Sequence, residues 1–207
     1  MPFGIQDIQG YIRLVLGSIL LAGDTAVDAT AGRGRDTLFL AQCVGREGRV
    51  YAFDIQPEAL AETQRRLQEH AQHEQVVLSR LDHVHMGEVV EGRAKVVMFN
   101  LGYLPGGDHA LTTQSESTLA AMKAALDLLE VNGIMAITAY RAHPGGEREA
   151  FEVDAFLAGL SRSAFSVLKG EYINQMSNAP YWLLVQRKRE DFGHEDSPPN
   201  KNSGTDR

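Results

Sequence analysis

Val27-Asp28-Ala29-Thr30-Ala31-Gly32-Arg33-Gly34-Arg35-Asp36-Thr37 runs from apolar residues into a glycine-rich turn and on towards a helix, and the next apolar run closes on Asp54. A strand that ends in Gly-x-Gly lets backbone approach a ligand and aims helix N-terminal amides at it. A carboxylate about 20 residues further on is placed to bind ribose hydroxyls. Together these features predict a nucleotide-cofactor pocket at the edge of an α/β sheet. A dinucleotide fingerprint requires a third glycine where Thr37 stands, so the turn alone leaves NAD as the weaker of two cofactor classes.

Working outward, residues 4–21 read as an amphipathic helix with Ile5, Ile8, Ile12, Val15, Leu16 and Ile19 on one face. Strands are predicted at 25–29, 49–54, 76–79, 96–100 and 134–140, with helices at 36–44, 57–71 and 115–130 between them; Pro57 suits a first helical turn. This alternation predicts a Rossmann-like, doubly wound, mostly parallel sheet. After a helix at 147–161 come strand-like runs at 165–171 and 181–187. No long helix fits between those two, so the seven-stranded sheet is expected to end in an antiparallel strand.

Length and composition set the outer bounds. A chain of 207 residues that is 43% hydrophobic fits one α/β domain, taken as residues 1–189, followed by a polar, disordered tail at 190–207. The apolar stretch at 12–22 is interrupted by Arg13 and is too short to span a bilayer, which suggests a soluble, cytoplasmic protein. The single cysteine, Cys43, excludes an internal disulfide and reads as a core residue. His70, His73 and His85 show no ligand spacing, and no metal is expected. The net charge of -7 argues against broad, charge-driven nucleic-acid binding. Much of that acidity sits in the tail, at Glu190, Asp191, Glu195, Asp196 and Asp206, so a local basic patch remains compatible with it.

The segment that decides the cofactor is Asn100-Leu101-Gly102-Tyr103-Leu104-Pro105-Gly106-Gly107-Asp108-His109, at the carboxyl edge of the fourth strand. An Asn leaving a strand into a small residue, Tyr and Pro resembles the Asn-Pro-Pro-Tyr loop of amino-directed methyltransferases that use S-adenosylmethionine. The physical sense is direct. The Asn oxygen accepts hydrogen bonds from an amine and orients its lone pair, while Tyr103 stacks on a planar ring.

Residues 4–188 as a whole resemble the small bacterial class I methyltransferases long called putative rRNA methylases, whose studied members act on tRNA wobble uridine. The resemblance rests on 28–37, on Phe53-Asp54-Ile55-Gln56 and on 100–109; weaker echoes are His143-Pro144-Gly145-Gly146-Glu147, Asn174-Gln175 and Ala179-Pro180. It implies an S-adenosylmethionine-dependent enzyme that methylates the aminomethyl nitrogen of 5-aminomethyl(-2-thio)uridine in the anticodon. Two departures touch the substrate side: Arg33 stands where the family tends to carry Asn, and Arg141-Ala142 replaces a glycine-containing approach to His143.

The expected roles follow. Asp28 orients the cofactor's amino-acid portion, Gly32 and Gly34 let backbone pass beneath it, and Asp54 holds the ribose. Gln56 lines the adenine, and Asp82 with His83 accepts from its amino group. Thr30, Asp36 and Thr37 complete the cofactor set, and Asn100 borders it. Asn100 and Tyr103 orient the substrate, and Asp108, His109 or His143 either takes the amine's proton or positions it. Arg33, Arg35, Arg141 and Arg148 are candidate tRNA contacts, with Tyr103 and Tyr140 against a splayed-out base. Tyr181 and Trp182 read as core or homodimer contacts. The competing readings are a small-molecule amine methyltransferase, an NAD-dependent oxidoreductase and a non-catalytic cofactor-binding module.

Overall fold

The computed structural model describes Gly4, residues 7–102 and residues 113–189. The elements are α1 (Ile8–Gly17), β1 (Thr25–Asp28), α2 (Arg35–Val44), β2 (Arg49–Phe53), α3 (Pro57–Glu69), β3 (Val76–Ser79), a 3-10 turn (His83–His85), α4 (Met86–Val89), β4 (Ala94–Leu101), α5 (Ser115–Leu128), β5 (Leu129–Ala139), α6 (Gly146–Ala158), β6 (Phe165–Gly170) and β7 (Tyr181–Arg187). The strands form one sheet in the order β3-β2-β1-β4-β5-β7-β6. Pairing is parallel from β3 through β5, and β7 runs antiparallel to both β5 and β6. The expected architecture is therefore present, including its antiparallel strand.

Alternation along the strands divides the interior into two cores. Ala26, Val50, Val96, Met98, Ile134 and Ala136 pack with Ile8, Ile12 and Leu16 of α1 and with Leu40, Val44 and Leu67 of α2 and α3. Val27, Tyr51, Phe53, Val97, Phe99, Met135 and Ile137 face the other way, onto Ala121, Met122 and Ala125 of α5 and Ala150, Val153 and Leu157 of α6. Both faces of the central strands are covered, which is why they read as nearly continuous apolar runs. Each fully buried large side chain, such as Phe53, Phe99 or Leu40, contributes about 1.5–3 kcal/mol.

Several boundaries differ from the sequence expectation, and two show why. The first helix, expected over 4–21, is α1 at Ile8–Gly17, opened by Asp7, whose carboxylate accepts from the Gly10 amide at 2.8 Å. The fifth helix stops at Leu128 rather than 130, because β5 begins at Leu129 and passes an irregularity where Asn132 takes φ 66°. Buried Arg187 donates to the Leu126 and Leu129 carbonyls at 2.9 and 3.0 Å, satisfying the exposed end of α5. Cys43 is half-buried beside the α1–α2 core. The proposed tail at 190–207 lies outside the described residues. No helix among the described residues is long and apolar enough to cross a membrane.

Candidate functional site

The strand order reverses between β1 and β4, and this is where open α/β sheets place a ligand. Asp28 pairs with Met98, so Asn100 stands just beyond the level of Asp28 on the neighbouring strand. Past that point the strands are joined by other groups. The Ala29 amide donates to the Met98 carbonyl at 2.9 Å, the Asn100 amide donates to Thr30 Oγ1 at 2.8 Å, and the Ala31 amide donates to the Phe53 carbonyl at 2.9 Å. The glycine turn is thus fastened to the exits of both β2 and β4.

Asp28 is fully buried and accepts from the Thr30 amide at 3.2 Å and from Thr37 Oγ1 at 2.6 Å. Burial, reinforced by the nearby Asp36 carboxylate, pushes its pKa up to about 7. Asp54 accepts from the Gly32 amide at 2.8 Å and the Gln56 amide at 2.9 Å, and burial raises its pKa as well. Gln56 is half-buried beside it. Gly34 has φ 72°, and a Cβ there would lie 2.9 Å from the Thr63 Cα and 2.7 Å from its Oγ1. Close packing of α3 therefore demands this glycine, where the sequence suggested passage beneath a cofactor.

Asp82 opens the 3-10 turn by accepting from the Val84 amide at 3.0 Å. His83 is buried, edge-on to Phe99, with Nδ1 3.2 Å from the Ala29 carbonyl. A carbonyl only accepts, so Nδ1 carries the proton and Nε2 presents a lone pair, buried with no hydrogen-bond partner and 3.7 Å from Asp82 Oδ1. Burial lowers the His83 pKa and favours this neutral form.

Asp36, close to Asp28, ties the turn to α1 and β4. Arg13 Nε and Nη2 donate to its Oδ1 at 2.8 and 2.7 Å, and Asn100 Nδ2 donates to its Oδ2 at 2.9 Å. Asn100 Oδ1 in turn accepts from Gln9 Nε2 at 2.6 Å. The Asn100 oxygen, expected to accept from an amine, already holds one hydrogen bond and keeps one lone pair. Gln9 and Arg13 were absent from the sequence expectation as site residues. Arg13 interrupting an apolar stretch, with Gln9 one turn before it, was the signal available.

Tyr103, Asp108 and His109 lie outside the described residues. The two residues that flank that segment are tied together. The Thr113 amide donates to the Gly102 carbonyl at 3.0 Å, and the Gly102 amide donates to Thr113 Oγ1 at 3.0 Å. Thr113 Oγ1 then donates to Glu149 Oε2 at 2.7 Å, and Glu149 Oε1 accepts from Thr118 Oγ1 at 2.7 Å. Glu149 is a buried carboxylate that the sequence did not single out, since a Glu in a helix reads as solvent-facing. His143 approaches the same exit: its Nε2 is 3.8 Å from where a Gly102 Cβ would stand.

The four candidate arginines fall into two groups. Arg141 Nε and Nη2 donate to the Ala179 carbonyl at 3.0 and 2.6 Å while its guanidinium lies over the Tyr181 ring, so its donors are largely committed. Arg148 pairs with Glu152 at 2.7 Å on the exposed face of α6. Both border an open cleft of about 570 Å³ that also takes in His143 and Asn178. On the other side, Arg33 is 3.7 Å from Glu62, and Arg35 lines a cleft of about 300 Å³ with Arg13, Arg66 and Phe39. Tyr140 is part of the Gln9 network, its hydroxyl 3.1 Å from Gln9 Nε2, and burial raises its pKa. Tyr181 is core, bonded to Asp154 at 2.9 Å, and Trp182 stacks on Tyr11 with ring centroids 5.0 Å apart. No group of three or more His, Cys, Asp or Glu among the described residues is arranged to hold a metal ion.

The chain is similar to known proteins over most of its length. A chloroplastic tRNA (mnm(5)s(2)U34)-methyltransferase of Arabidopsis thaliana is 38% identical over 183 residues, which are 84% of this chain and 67% of that protein. The crystal structure of a putative rRNA-methylase from Clostridium thermocellum superposes with a TM-score of 0.87 at 37% identity, covering 89% of this chain and 100% of that one. A putative methyltransferase from Streptococcus mutans, solved in complex with SAH, gives a TM-score of 0.79 at 31% identity over 90% and 99% of the two chains. The family model described as putative rRNA methylase matches residues 50–186, from the second strand to the last, and the chain belongs to that family.

Proposed function

We propose that the protein is an S-adenosylmethionine-dependent methyltransferase that converts 5-aminomethyl(-2-thio)uridine at the tRNA wobble position into its methylaminomethyl form. The observation that carries this is the placement of Asn100 beside the Asp28–Thr37 turn, joined to it through Thr30 and Asp36. A cofactor site and an amine acceptor then share one sheet edge. The relative named for mnm(5)s(2)U34 supplies the substrate class.

The residues present fit the cofactor. Asp28 offers a buried carboxylate to an ammonium, Asp54 offers acceptors to ribose hydroxyls, and the unpartnered His83 Nε2 offers an acceptor to the adenine amino group. S-adenosylmethionine supplies a methyl group already activated on a sulfonium, so the protein's share is alignment, water exclusion and electrostatics. Asn100 Oδ1 accepts an N–H of the substrate amine through its second lone pair and turns the nitrogen lone pair towards the methyl. His143, with Asp108 and His109, is the candidate for receiving or positioning the displaced proton. Arg33 and Arg35 on one side and Arg148 on the other are the tRNA contacts in this reading.

The test is transfer of a labelled methyl group to tRNA carrying 5-aminomethyluridine, followed by nucleoside analysis. Label in the wobble nucleoside is expected. Label in small amines and none in tRNA would favour the second reading, a small-molecule amine methyltransferase, which the net charge of -7 makes the natural competitor. In the same preparation S-adenosylhomocysteine should raise the melting temperature and NAD should not; the reverse would return the glycine turn to the dinucleotide class.

A further inference from the structure

We infer that α1 belongs to the working part of the site: Gln9 and Arg13 are positioning residues that fix which way the Asn100 carboxamide points. This rests on the proposed role of Asn100 as acceptor for the substrate amine. A carboxamide has two ends of nearly the same shape, one an acceptor and one a donor. Only the oxygen end can accept an amine N–H; the reversed amide would turn its own N–H groups on the substrate.

Asp36, held by Arg13, selects one orientation of the Asn100 amide, and Gln9 seats its oxygen end. Asp36 Oδ2 accepts from Asn100 Nδ2 at 2.9 Å, and Arg13 holds the other Asp36 oxygen through Nε and Nη2 at 2.8 and 2.7 Å. On the far side, Gln9 Nε2 donates to Asn100 Oδ1 at 2.6 Å. Reversal would set Asn100 Oδ1 against a carboxylate, a repulsive contact in place of a charge-assisted one, and would force the Gln9 amide to turn with it. Thr138 Oγ1 at 3.0 Å and the Tyr140 hydroxyl at 3.1 Å also lie within reach of Gln9 Nε2, so Gln9 links the exits of β4 and β5. Gln9 Oε1 is buried without a partner. Its orientation is thus imposed by Asn100 and not by what would best satisfy Gln9 itself.

The sequence makes this clamp through helical spacing. Gln9 and Arg13 are four residues apart, hence one turn above one another, while Ile8, Ile12 and Leu16 bury the adjacent face of α1. The apolar face fixes the helix on the sheet, and the polar pair reaches the two ends of the Asp36–Asn100 pair.

The test is steady-state methylation of tRNA carrying 5-aminomethyluridine by the full chain. Gln9→Met keeps length and volume and removes the N–H donor. It should lower kcat by about tenfold to a hundredfold, the scale of a misaligned reacting pair, and leave KM for S-adenosylmethionine and the melting temperature near those of the parent. Gln9→Glu, which keeps the shape and lacks the donor when ionised, should not rescue. In an Asn100→Ala background, Gln9→Met should add almost nothing, because both changes remove one interaction. The inference is overturned if Gln9→Met stays within about twofold of the parent kcat while Asn100→Ala abolishes turnover, or if the two losses multiply as independent sites do. A lowered melting temperature with a matching rise in KM would mark packing alone and overturn it too. Retained turnover in Asn100→Ala would instead refute the proposed role of Asn100, and this inference with it.

Discussion

Asp28 is a carboxylate held fully out of water by the strand that carries it, with Thr30 and Thr37 donating to it. Its pKa, raised to about 7, has two consequences of opposite use. For folding, the protonated form is favoured in the native state, so the stability this residue contributes is greatest at low pH. It declines as pH rises from the unfolded carboxylate range, about 4, through about 7. For binding, a ligand ammonium favours the ionised form and must displace that proton. Affinity for S-adenosylhomocysteine should therefore increase as pH rises through about 7, and in Asp28→Asn it should be weaker and nearly flat over the same interval. Calorimetric titration across that range decides this; a parent enzyme whose affinity is flat there would remove Asp28 from the ammonium's surroundings.

Among the elements, the antiparallel β6–β7 pair bears on the site through α1. Gly170 of β6 pairs with Trp182 of β7, and a Cβ at Gly170 would fall 2.1 Å from the indole ring. The ring is laid across the glycine and reaches Tyr11 on α1, the helix that carries Gln9 and Arg13. Gly170→Ala must push the indole off this seat, at a cost of about 1–3 kcal/mol, as for other overpacked sites. The chain has one tryptophan, so its fluorescence reports the displacement directly. A mutant with the parent emission spectrum and the parent denaturation midpoint would show that the indole does not depend on the glycine. The elements also show where the sequence was legible and where it was not. Strand–helix alternation and the short 171–180 connection suffice for the sheet, because period and loop length follow from backbone geometry alone. The turn at 28–37 and Asn100 were legible because glycines with a strand-end acid, and an Asn opening a turn-rich loop, are local patterns. Gln9, Arg13 and Glu149 were not. Their roles depend on partners 20 or more residues away, and a polar residue on an amphipathic helix looks the same whether it faces water or a site. The packing demand on Gly34 was illegible on the same ground, since Thr63 comes from the next helix.

For the whole molecule, a net charge of -7 means that long-range attraction to RNA is weak, so binding has to come from a few phosphate contacts near the sheet edge. The candidate arginines differ in what they have to give. Arg141 is spent on the Ala179 carbonyl, Arg148 is paired with Glu152, and Arg13 is paired with Asp36. Arg35 is exposed at the first position of α2 and makes no ion pair among the described residues, while Arg66 beside it also faces the same cleft. An unpaired guanidinium gives up no protein contact on meeting a phosphate, so Arg35 should carry more of the tRNA affinity than Arg148. Arg35→Ala should weaken tRNA binding and reduce the slope of log affinity against log salt by about one, the mark of one lost phosphate contact. Arg148→Ala should change both less, because its guanidinium is already engaged by Glu152 and has less to give a phosphate. Filter binding or fluorescence anisotropy over a salt series measures both variants. An unchanged slope in Arg35→Ala, with a reduced slope in Arg148→Ala, would move the tRNA backbone to the α6 side of the sheet edge.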